Sequence, residues 1–403
     1  MSASTAPQRV NLRTPEVMEA VQAAVEQHYH SPMVDRLRAN GGLAKFGDVT
    51  VRLAKQFGFC YGVERAIDLA YAARKVFTDR NLFLVGEIIH NPDVNAQLAS
   101  MGIRTLSGPC KLTDIDNLSP DDVVIVPAFG AEVAVQERIK ARGCRIVDTT
   151  CGDVMSVWKR VRQYAQDGVT SIIHGKADHE ETRATSSRAR DAQGHGHFVV
   201  VYDLREADMI CDYIRGKGDR AAFLAAFAKA CSAGFDPDLH LGKVGVANQT
   251  TMLRSETEEV QRRVREAVVA RDGSADNFRV FDTICGATQE RQDALKELLD
   301  RPPDLMLVVG GYNSSNTTHL ADMAAEKTPT YFVVNASCLE SPSKIRHFDT
   351  HRQTEVVSVD WMPSGPVTLG ITAGASCPGN LIEDVLRRFL GLRGIALAGR
   401  PDA

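Results

Sequence analysis

Three cysteines of this 403-residue chain occupy the same kind of local sequence. They stand in GFCYGVERAI (Cys60), DTTCGDVMSVWKRV (Cys151) and DTICGATQERQDAL (Cys285). Each follows a short β-favouring stretch and opens an amphipathic helical pattern, which predicts a strand-to-helix junction at each cysteine. A helix N-terminus lowers the pKa of a thiol and thereby favours a thiolate ligand or nucleophile. The simpler alternative is three unrelated core cysteines at strand ends.

The segments between these cysteines also match one another, which predicts an internal threefold repeat. Roughly 20 to 30 residues after each cysteine, as such a repeat requires, an apolar strand runs into a polar loop. These segments are LFLVGEIIHN, SIIHGKADHEET and LMLVVGGYNSSNTTHLAD. A further strand then enters a small-residue turn, in VVIVPAFGAEVA, VGVANQTTML and VTLGITAGASCPG. Because ligands of open α/β sheets bind beyond the carboxyl ends of the strands, we expect the three sets of loops to converge on one cavity.

The predicted fold is therefore α/β, with three pseudo-threefold-related α/β units in a trefoil-like arrangement. We call these units the first, second and third repeat, and assign them to residues 49–150, 151–284 and 285–375. The second repeat carries an insertion near residues 203–240, predicted to be helical and on the surface. A closing segment, 376–403, returns Ser376 to the cavity, and residues 1–48 form an N-terminal helical extension. In this extension a helical period runs from Pro15 to His28, and a second helix ends at Asn40.

Composition excludes several classes of protein. A net charge of −4 with interleaved acidic and basic residues gives no electrostatic footprint for nucleic acid. No apolar run approaches the roughly 20 residues that span a bilayer, and no targeting segment is evident, so we expect a cytoplasmic protein. Nine cysteines make an odd number, which argues against a disulfide framework. Six of the nine share no context and are expected to be structural: Cys110, Cys144, Cys211, Cys231, Cys338 and Cys377.

Three thiolates from three repeats suit an iron–sulfur cubane better than zinc, because structural zinc prefers four protein ligands. One iron of such a cluster lacks a protein thiolate. That iron can act as a Lewis acid while the cluster delivers electrons one at a time. Cys60, Cys151 and Cys285 are the candidate ligands.

The collected motifs resemble those of the 4-hydroxy-3-methylbut-2-enyl diphosphate reductases, the last enzymes of the non-mevalonate isoprenoid pathway. The similarity runs from about residue 50 to residue 390 and follows the family's order. It comprises GFCYGVERAI, GEIIHNPDVN, VDTTCGDV, HGKADHEET, ANQTTM, DTICGATQERQ, GGYNSSNTTHLA and TAGAS. The N-terminal extension and the long second repeat resemble those of the plant and cyanobacterial branch of this family.

The resemblance implies a three-lobed fold around one [4Fe–4S] cluster per chain, bound by Cys60, Cys151 and Cys285. It also implies the reaction, in which the substrate hydroxyl binds the open iron and two electrons and two protons are added. Water leaves, and isopentenyl and dimethylallyl diphosphates form. Ferredoxin or flavodoxin is the implied electron donor, and the chain is expected to be a monomer or homodimer.

Glu181, in HEET, matches the family's acid, which protonates the hydroxyl so that it leaves as water. Hydroxide is a poor leaving group, so a carboxylic acid suits this place. His90 and His179 match histidines that contact the diphosphate or the hydroxyl. Thr250 matches a threonine near the hydroxyl, and Thr288 another that lines the cavity. His179 and Thr250 join Glu181 as candidate catalytic residues.

Other residues are candidates for diphosphate binding, because a strand end with two glycines followed by a helix is a usual anion-binding arrangement. They are Ser314, Ser315, Asn316 and Ser376, with Asn313 and Gln249 as second-rank candidates for substrate binding. Each polar residue also has a simpler interpretation. A lone histidine beside an apolar strand is usually a hydrogen-bonded core residue, a first-turn Glu offsets the helix dipole, and NSSN is an N-cap signal.

Two positions depart from the family pattern. Phe129 stands where the best-known bacterial members have a histidine, so any diphosphate contact from this loop must come from backbone N–H groups near Gly130 and Ala131. Gly152 replaces a usual proline, which predicts a looser helix start. The alternative functions are an iron–sulfur hydro-lyase, which needs no net reduction, and a non-catalytic diphosphate-binding redox sensor, which needs no acid at Glu181.

Overall fold

A computed structural model describes residues 11–108, 111–190, 194–281 and 283–397. The chain divides into two compact units. Unit 1 comprises Met1–Ile125, Cys144–Thr149 and Ala287–Ala403, and unit 2 comprises Val126–Gly143 and Thr150–Gly286. Both contain parallel strands and helices, which confirms the predicted α/β class. The structural role predicted for Cys110 falls outside the described residues.

Helices and strands alternate along much of the chain, with some runs of consecutive helices or consecutive strands. In chain order the helices are α1 Pro15–Tyr29, α2 Pro32–Ala39, α3 Tyr61–Val76, α4 Pro92–Ser100, α5 Val133–Ala141, α6 Gly152–Gln166, α7 Glu180–Ser186, α8 Leu204–Ile214, α9 Arg220–Ala226, α10 Pro237–His240, α11 Arg254–Asp272, α12 Gly286–Leu299, α13 Ser315–Ala325 and α14 Gly379–Leu392. Over the ranges described, none of these helices is long and apolar enough to span a membrane.

The strands in chain order are β1 Leu43–Phe46, β2 Val49–Leu53, β3 Leu82–Leu84, β4 Ile103–Thr105, β5 Val123–Val126, β6 Arg145–Asp148, β7 Thr170–His174, β8 Phe198–Val201, β9 Val244–Asn248, β10 Phe278–Val280, β11 Leu305–Val309, β12 Thr330–Val333, β13 Leu339–Ser341, β14 Lys344–Asp349, β15 Thr354–Val359 and β16 Val367–Ala373. Strands occur in all nine segments where the repeat pattern requires them. These are β2, β6 and β10 before the cysteines, β3, β7 and β11 after them, and β5, β9 and β16 before the small-residue turns.

One strand order recurs in three sheets. A four-stranded sheet of unit 1 has the order β4-β3-β5-β6, and the sheet of unit 2 has the order β8-β7-β9-β10. The second sheet of unit 1 has eight strands in the order β1-β2-β16-β11-β12-β14-β13, with β15 on β14, and so contains the run β12-β11-β16-β2. In every case the strand that precedes a cysteine lies beside the last strand of the repeat before it. This shared order supports the internal repeat, while the trefoil-like arrangement around a cluster stays a prediction.

Helices cover both faces of the eight-stranded sheet. Strand β11 lies between β12 and β16 in parallel register, with Leu305 opposite Leu369 and Val309 opposite Ala373. Its side chains alternate between two cores, because successive residues of a strand point to opposite faces. Leu307 packs with residues of α2 and α14, whereas Val308 packs with residues of α12 and α13. Burial on both faces explains why this strand reads as an unbroken apolar run.

The sheet of unit 2 is parallel and is also covered on both faces. Helices α8 and α11 pack on one face, and Val157 and Val161 of α6 contribute to a core on the other. The insertion predicted near residues 203–240 is helical, as expected, and contains α8, α9 and α10. It is not confined to the surface, because the side chains of Phe223, Phe227 and Phe235 are buried in the core beside α8.

The two N-terminal helices lie where the sequence predicts them. Both α1 and α2 begin with a proline, whose missing N–H is not needed in a first helical turn. Ser31 caps α2 by accepting from the Val34 N–H at 3.0 Å, and Asn40 is the C-cap that follows the last helical residue. Helix α1 packs on α3, where the Tyr71 hydroxyl lies 3.0 Å from Nδ1 of His28. These helices therefore form part of the packed core of unit 1.

Candidate functional site

The three cysteines share a structural setting as well as a sequence pattern. Cys60 is the N-cap of α3, Cys151 is the N-cap of α6, and Cys285 directly precedes α12. Helix α6 begins at Gly152 although the proline expected there is absent. Each cysteine N–H donates to a carbonyl in the small-residue turn of another repeat. The acceptors are Ala375 for Cys60 (3.2 Å), Ala128 for Cys151 (2.8 Å) and Thr250 for Cys285 (3.3 Å).

Burial separates these three cysteines from most of the others. Cys60, Cys151 and Cys285 are half-buried, whereas Cys144, Cys211, Cys338 and Cys377 are buried. Burial raises the pKa of the Cys211 thiol to about 11 and also raises the pKa of Cys377. Burial raises the pKa of the half-buried Cys231 as well. Such thiols stay protonated near neutral pH and are poor metal ligands.

The setting of the three cysteines fits a thiolate-bound group. Each cysteine stands at a helix N-terminus and is only half-buried, so its sulfur is accessible to a bound group. Cys60 belongs to unit 1, and Cys151 and Cys285 belong to unit 2. The meeting of all three sulfurs at one centre stays a prediction.

Glu181 and Thr250 form a buried pair in unit 2. Glu181 lies in the first turn of α7 and Thr250 follows β9, and their side chains are 3 % and 5 % exposed. The Thr250 N–H donates to Glu181 Oε1 at 2.6 Å, and the Thr250 hydroxyl donates to Glu181 Oε2 at 3.0 Å. Both oxygens of the predicted acid are thus held by one residue of a neighbouring strand end.

His179 and Gln249 surround this pair in the same unit. His179 is the N-cap of α7, and its Nδ1 accepts from the Glu181 N–H at 3.2 Å. This acceptor role requires that the Nδ1 atom carries no proton. The ring of Phe129 contacts the imidazole edge-on, with centroids 6.4 Å apart. Oε1 of Gln249 accepts from the Lys176 N–H and the Thr182 hydroxyl, both at 3.1 Å, so this side chain joins the two strand-end loops.

In unit 1, three loops meet beside His90. The Ser376 hydroxyl donates to the His90 carbonyl at 3.1 Å. A Cβ atom on Gly311 would overlap the same carbonyl, so only glycine permits this approach. The structure therefore brings together His90, Ser376 and the loop that leads to α13.

The N-terminus of α13 has the features of an anion site. Ser314 is its N-cap and accepts from the Thr317 hydroxyl at 3.0 Å. Ser314, Ser315 and Asn316 are all at least 94 % buried. Both amide atoms of Asn316 are buried with no hydrogen-bond partner among the described residues. Because buried polar groups are nearly always paired, this amide is suited to a bound ligand or water.

The positions of the remaining predicted residues give less support for a role in the site. Thr288 is buried in the first turn of α12, where it is 2 % exposed. Asn313 is exposed, which keeps it the weaker candidate beside Ser314. One polar residue was missed by the sequence reasoning: Glu87, whose Oε2 lies 3.0 Å from Nδ1 of His90. Its position three residues before the histidine in GEIIHN was the available signal.

The chain is similar to a set of curated proteins over nearly its whole length. The family profile described as LytB protein matches residues 51–390. A 4-hydroxy-3-methylbut-2-enyl diphosphate reductase of Thermosynechococcus vestitus is 47 % identical over 94 % of this chain and 93 % of its own. One from Gloeobacter violaceus is 46 % identical over 95 % of this chain and 92 % of its own. Such relatives agree with the expected similarity to the cyanobacterial branch.

Two solved structures share the fold. A structure of (E)-4-hydroxy-3-methyl-but-2-enyl diphosphate reductase, titled the terminal enzyme of the non-mevalonate pathway, has a TM-score of 0.52 at 26 % identity. It covers 85 % of this chain and 99 % of its own. The E-1-hydroxy-2-methyl-but-2-enyl-4-diphosphate reductase from Plasmodium falciparum has a TM-score of 0.62 at 20 % identity, covering 84 % and 87 %. At that lower identity the second likeness concerns the fold alone.

Proposed function

Because this chain belongs to the LytB protein family, we propose that it is a 4-hydroxy-3-methylbut-2-enyl diphosphate reductase, the terminal enzyme of the non-mevalonate isoprenoid pathway. One observation carries the proposal: relatives with this activity in their names are 46–47 % identical over 94–95 % of the chain. The overall reaction adds two electrons and two protons to the substrate. It releases one water and yields isopentenyl or dimethylallyl diphosphate.

A [4Fe–4S] cluster would be held by Cys60, Cys151 and Cys285, whose shared position at helix N-termini supports this assignment. When bound, such a cluster supplies single electrons and a Lewis-acidic iron. The repeated N–H bond from each cysteine to a strand-end turn fixes the backbone of all three ligands in the same way. Reduced ferredoxin or flavodoxin is the proposed source of the electrons.

Glu181 is the proposed acid, and Thr250 positions it. Protonation converts the substrate hydroxyl into water, a far better leaving group than hydroxide. The N–H and hydroxyl of Thr250 hold the two carboxyl oxygens, so the acid has one fixed orientation. His179 accepts from the Glu181 N–H and so fixes the start of α7, and we propose that it contacts the substrate hydroxyl.

The diphosphate is proposed to bind at the N-terminus of α13. Ser314, Ser315 and Asn316 supply hydroxyl and amide groups there, and the helix dipole favours negative charge. His90 and Ser376 complete the set, because their loops already touch each other in unit 1. Neutral donors of this kind can hold a diphosphate without burying several lysines.

The test is turnover by anaerobically purified protein. Iron and sulfide are first measured, and the protein is then incubated with the hydroxylated diphosphate, dithionite and a mediator dye. We expect about four irons per chain, and isopentenyl and dimethylallyl diphosphates formed in step with donor oxidation. Product without donor oxidation would indicate a hydro-lyase. If protein with an intact cluster binds the substrate but forms no product, the result would indicate a non-catalytic redox sensor.

A further inference from the structure

Arg188 and Trp158 form a buried pair in unit 2 that has no role in the chemistry proposed above. They are 4 % and 5 % exposed. The guanidinium carbon lies 3.3 Å from the centroid of the indole ring, and the indole N–H donates to the Thr185 hydroxyl at 3.2 Å. A guanidinium stacked on tryptophan is a favourable cation–π arrangement, and it gains strength when both groups are desolvated.

This pair contacts residues Pro127–Ala131, which we call the PAFGA loop. Nη1 of Arg188 donates to the Ala131 carbonyl at 2.9 Å and to the Ala184 carbonyl of α7 at 2.6 Å. Gly130 has a φ of +84°, and a Cβ atom there would overlap the Trp158 ring. The loop therefore rests against the pair with no space for a larger residue.

The other half of the PAFGA loop contacts two proposed site residues. The Ala128 carbonyl accepts the Cys151 N–H at 2.8 Å. The Phe129 ring is 92 % buried and lies edge-on to the imidazole of His179. One short segment thus connects the Arg188–Trp158 pair to a proposed cluster ligand and to a proposed catalytic residue.

We propose that Arg188 and Trp158 are positioning residues, which hold the PAFGA loop and through it orient Cys151 and His179. The inference rests on the proposed function. Losing the Arg188 guanidinium removes the donor to the Ala131 carbonyl and the planar group that covers Trp158. The loop then gains freedom, and the Cys151 backbone and the His179 ring lose their fixed neighbours.

The experiment compares Arg188→Met and Arg188→Lys with the parent chain. For Arg188→Met we expect kcat to fall at least tenfold and the EPR spectrum of the dithionite-reduced cluster to broaden or shift. In the cluster-free protein, iodoacetamide should alkylate Cys151 at least threefold faster. Arg188→Lys keeps the charge and one donor, so it should recover part of each effect.

Arg271→Lys is the matched control. Arg271 also donates to two backbone carbonyls of unit 2, those of Leu241 (2.8 Å) and Gly242 (2.6 Å), but near the amino end of β9 rather than its carboxyl end. This variant should lower the midpoint of thermal unfolding and leave kcat, the EPR spectrum and Cys151 alkylation unchanged.

The inference is overturned if Arg188→Met lowers only the thermal midpoint, as Arg271→Lys does. Should Arg188→Met not fold, the same readouts on Arg188→Lys and Trp158→Phe decide the matter. Failure of the proposed function looks different, because the parent chain itself would then form no product. The alkylation and EPR comparisons would still report on loop positioning.

Discussion

At the scale of single residues, the pairing of Glu181 with Thr250 is the most specific feature of the candidate site. A buried carboxyl normally needs partners, and here one residue supplies two donors, one to each oxygen. Capping of α7 would not require this, because the N-cap is His179. The geometry therefore fixes the orientation of the carboxyl, which a residue that merely offsets the helix dipole would not need.

Replacing Glu181 with Gln should abolish turnover while the cluster remains. The amide can still accept from Thr250 but has no acidic proton to give, so we expect kcat to fall by about 10²-fold or more. Visible absorption and iron content report on the cluster, and product formation reports on turnover. Glu258→Gln, at an exposed position of α11 in the same unit, is the control and should keep normal activity. A nearly normal rate for Glu181→Gln would refute the acid assignment.

Replacing Glu87 with Gln should weaken substrate binding. The Glu87 carboxylate lies 3.0 Å from Nδ1 of His90 and fixes the orientation of the ring, so that the other ring nitrogen keeps one direction. We expect KM to rise about tenfold, with a smaller change in kcat, by analogy with the partners that orient metal-binding histidines. Steady-state kinetics separate the two constants. An unchanged KM together with a lower kcat would contradict the assignment.

The sequence identified most of these residues but could not identify their partners. Glu181 and Thr250 stand in separate motifs, 69 positions apart, and only the folded chain brings the hydroxyl to the carboxyl. Asn316 was expected to bind anions because it follows two glycines at a strand end, and its unpartnered amide appears only in the structure. Arg188 gave no signal, because a lone arginine in a polar stretch is usually a solvated residue.

At the scale of elements, the alternation of short apolar runs with amphipathic helices was sufficient to predict the strands. Buried parallel strands such as β9 and β11 are apolar at nearly every position, so the sequence shows where each strand begins and ends. Pairing was harder to predict. Strand β2, which the repeat pattern assigns to the first repeat, pairs with β16 in the sheet of the third. The sequence of β2 does not distinguish pairing within the first repeat from pairing with β16, because either neighbour would bury the same apolar side chains of β2.

His174, at the end of β7, should make the stability of unit 2 depend on pH. It is fully buried, and its Nδ1 lies 2.7 Å from the Thr257 hydroxyl. Burial lowers the pKa of His174 from 6.5 to about 4 in the folded chain. Between these values the unfolded chain binds more protons than the folded one, so the free energy of unfolding falls as pH drops below about 6.5.

The expected loss between pH 7.5 and pH 5 is about 2 kcal/mol for this one group. Urea unfolding of the cluster-free chain at the two pH values measures it, and His174→Gln should show a loss smaller by that amount. His351→Gln, at an exposed histidine, is the control and should retain the full dependence. Equal pH dependence in the His174 variant and the parent would show that another group is responsible.

At the scale of the whole molecule, the repeat and the compact units divide the chain differently. The repeat pattern gives three segments of the sequence, whereas contacts give two units, with the chain changing unit near residues 125, 143, 149 and 286. Such boundaries depend on long-range packing, which has no local signature. The common strand order of the three sheets survives this difference, and it is the strongest support in the structure for an internal repeat.

The proposal that Cys60, Cys151 and Cys285 bind one cluster predicts a single pattern of thiol protection. In the cluster-free chain, iodoacetamide should label all three, because each is only half-buried and can be reached by the reagent. In the reconstituted chain all three should be protected together, in proportion to bound iron. Mass spectrometry of the digested protein reads each site separately.

The other cysteines provide internal controls. Cys211 and Cys377 should stay unlabelled in both forms, because they are buried and burial raises the pKa of each thiol. Cys231 is half-buried with a raised pKa, so it should react slowly and at the same rate with or without iron. If Cys60, Cys151 or Cys285 kept its full reactivity in a chain that carries four irons, the three sulfurs would not bind one cluster.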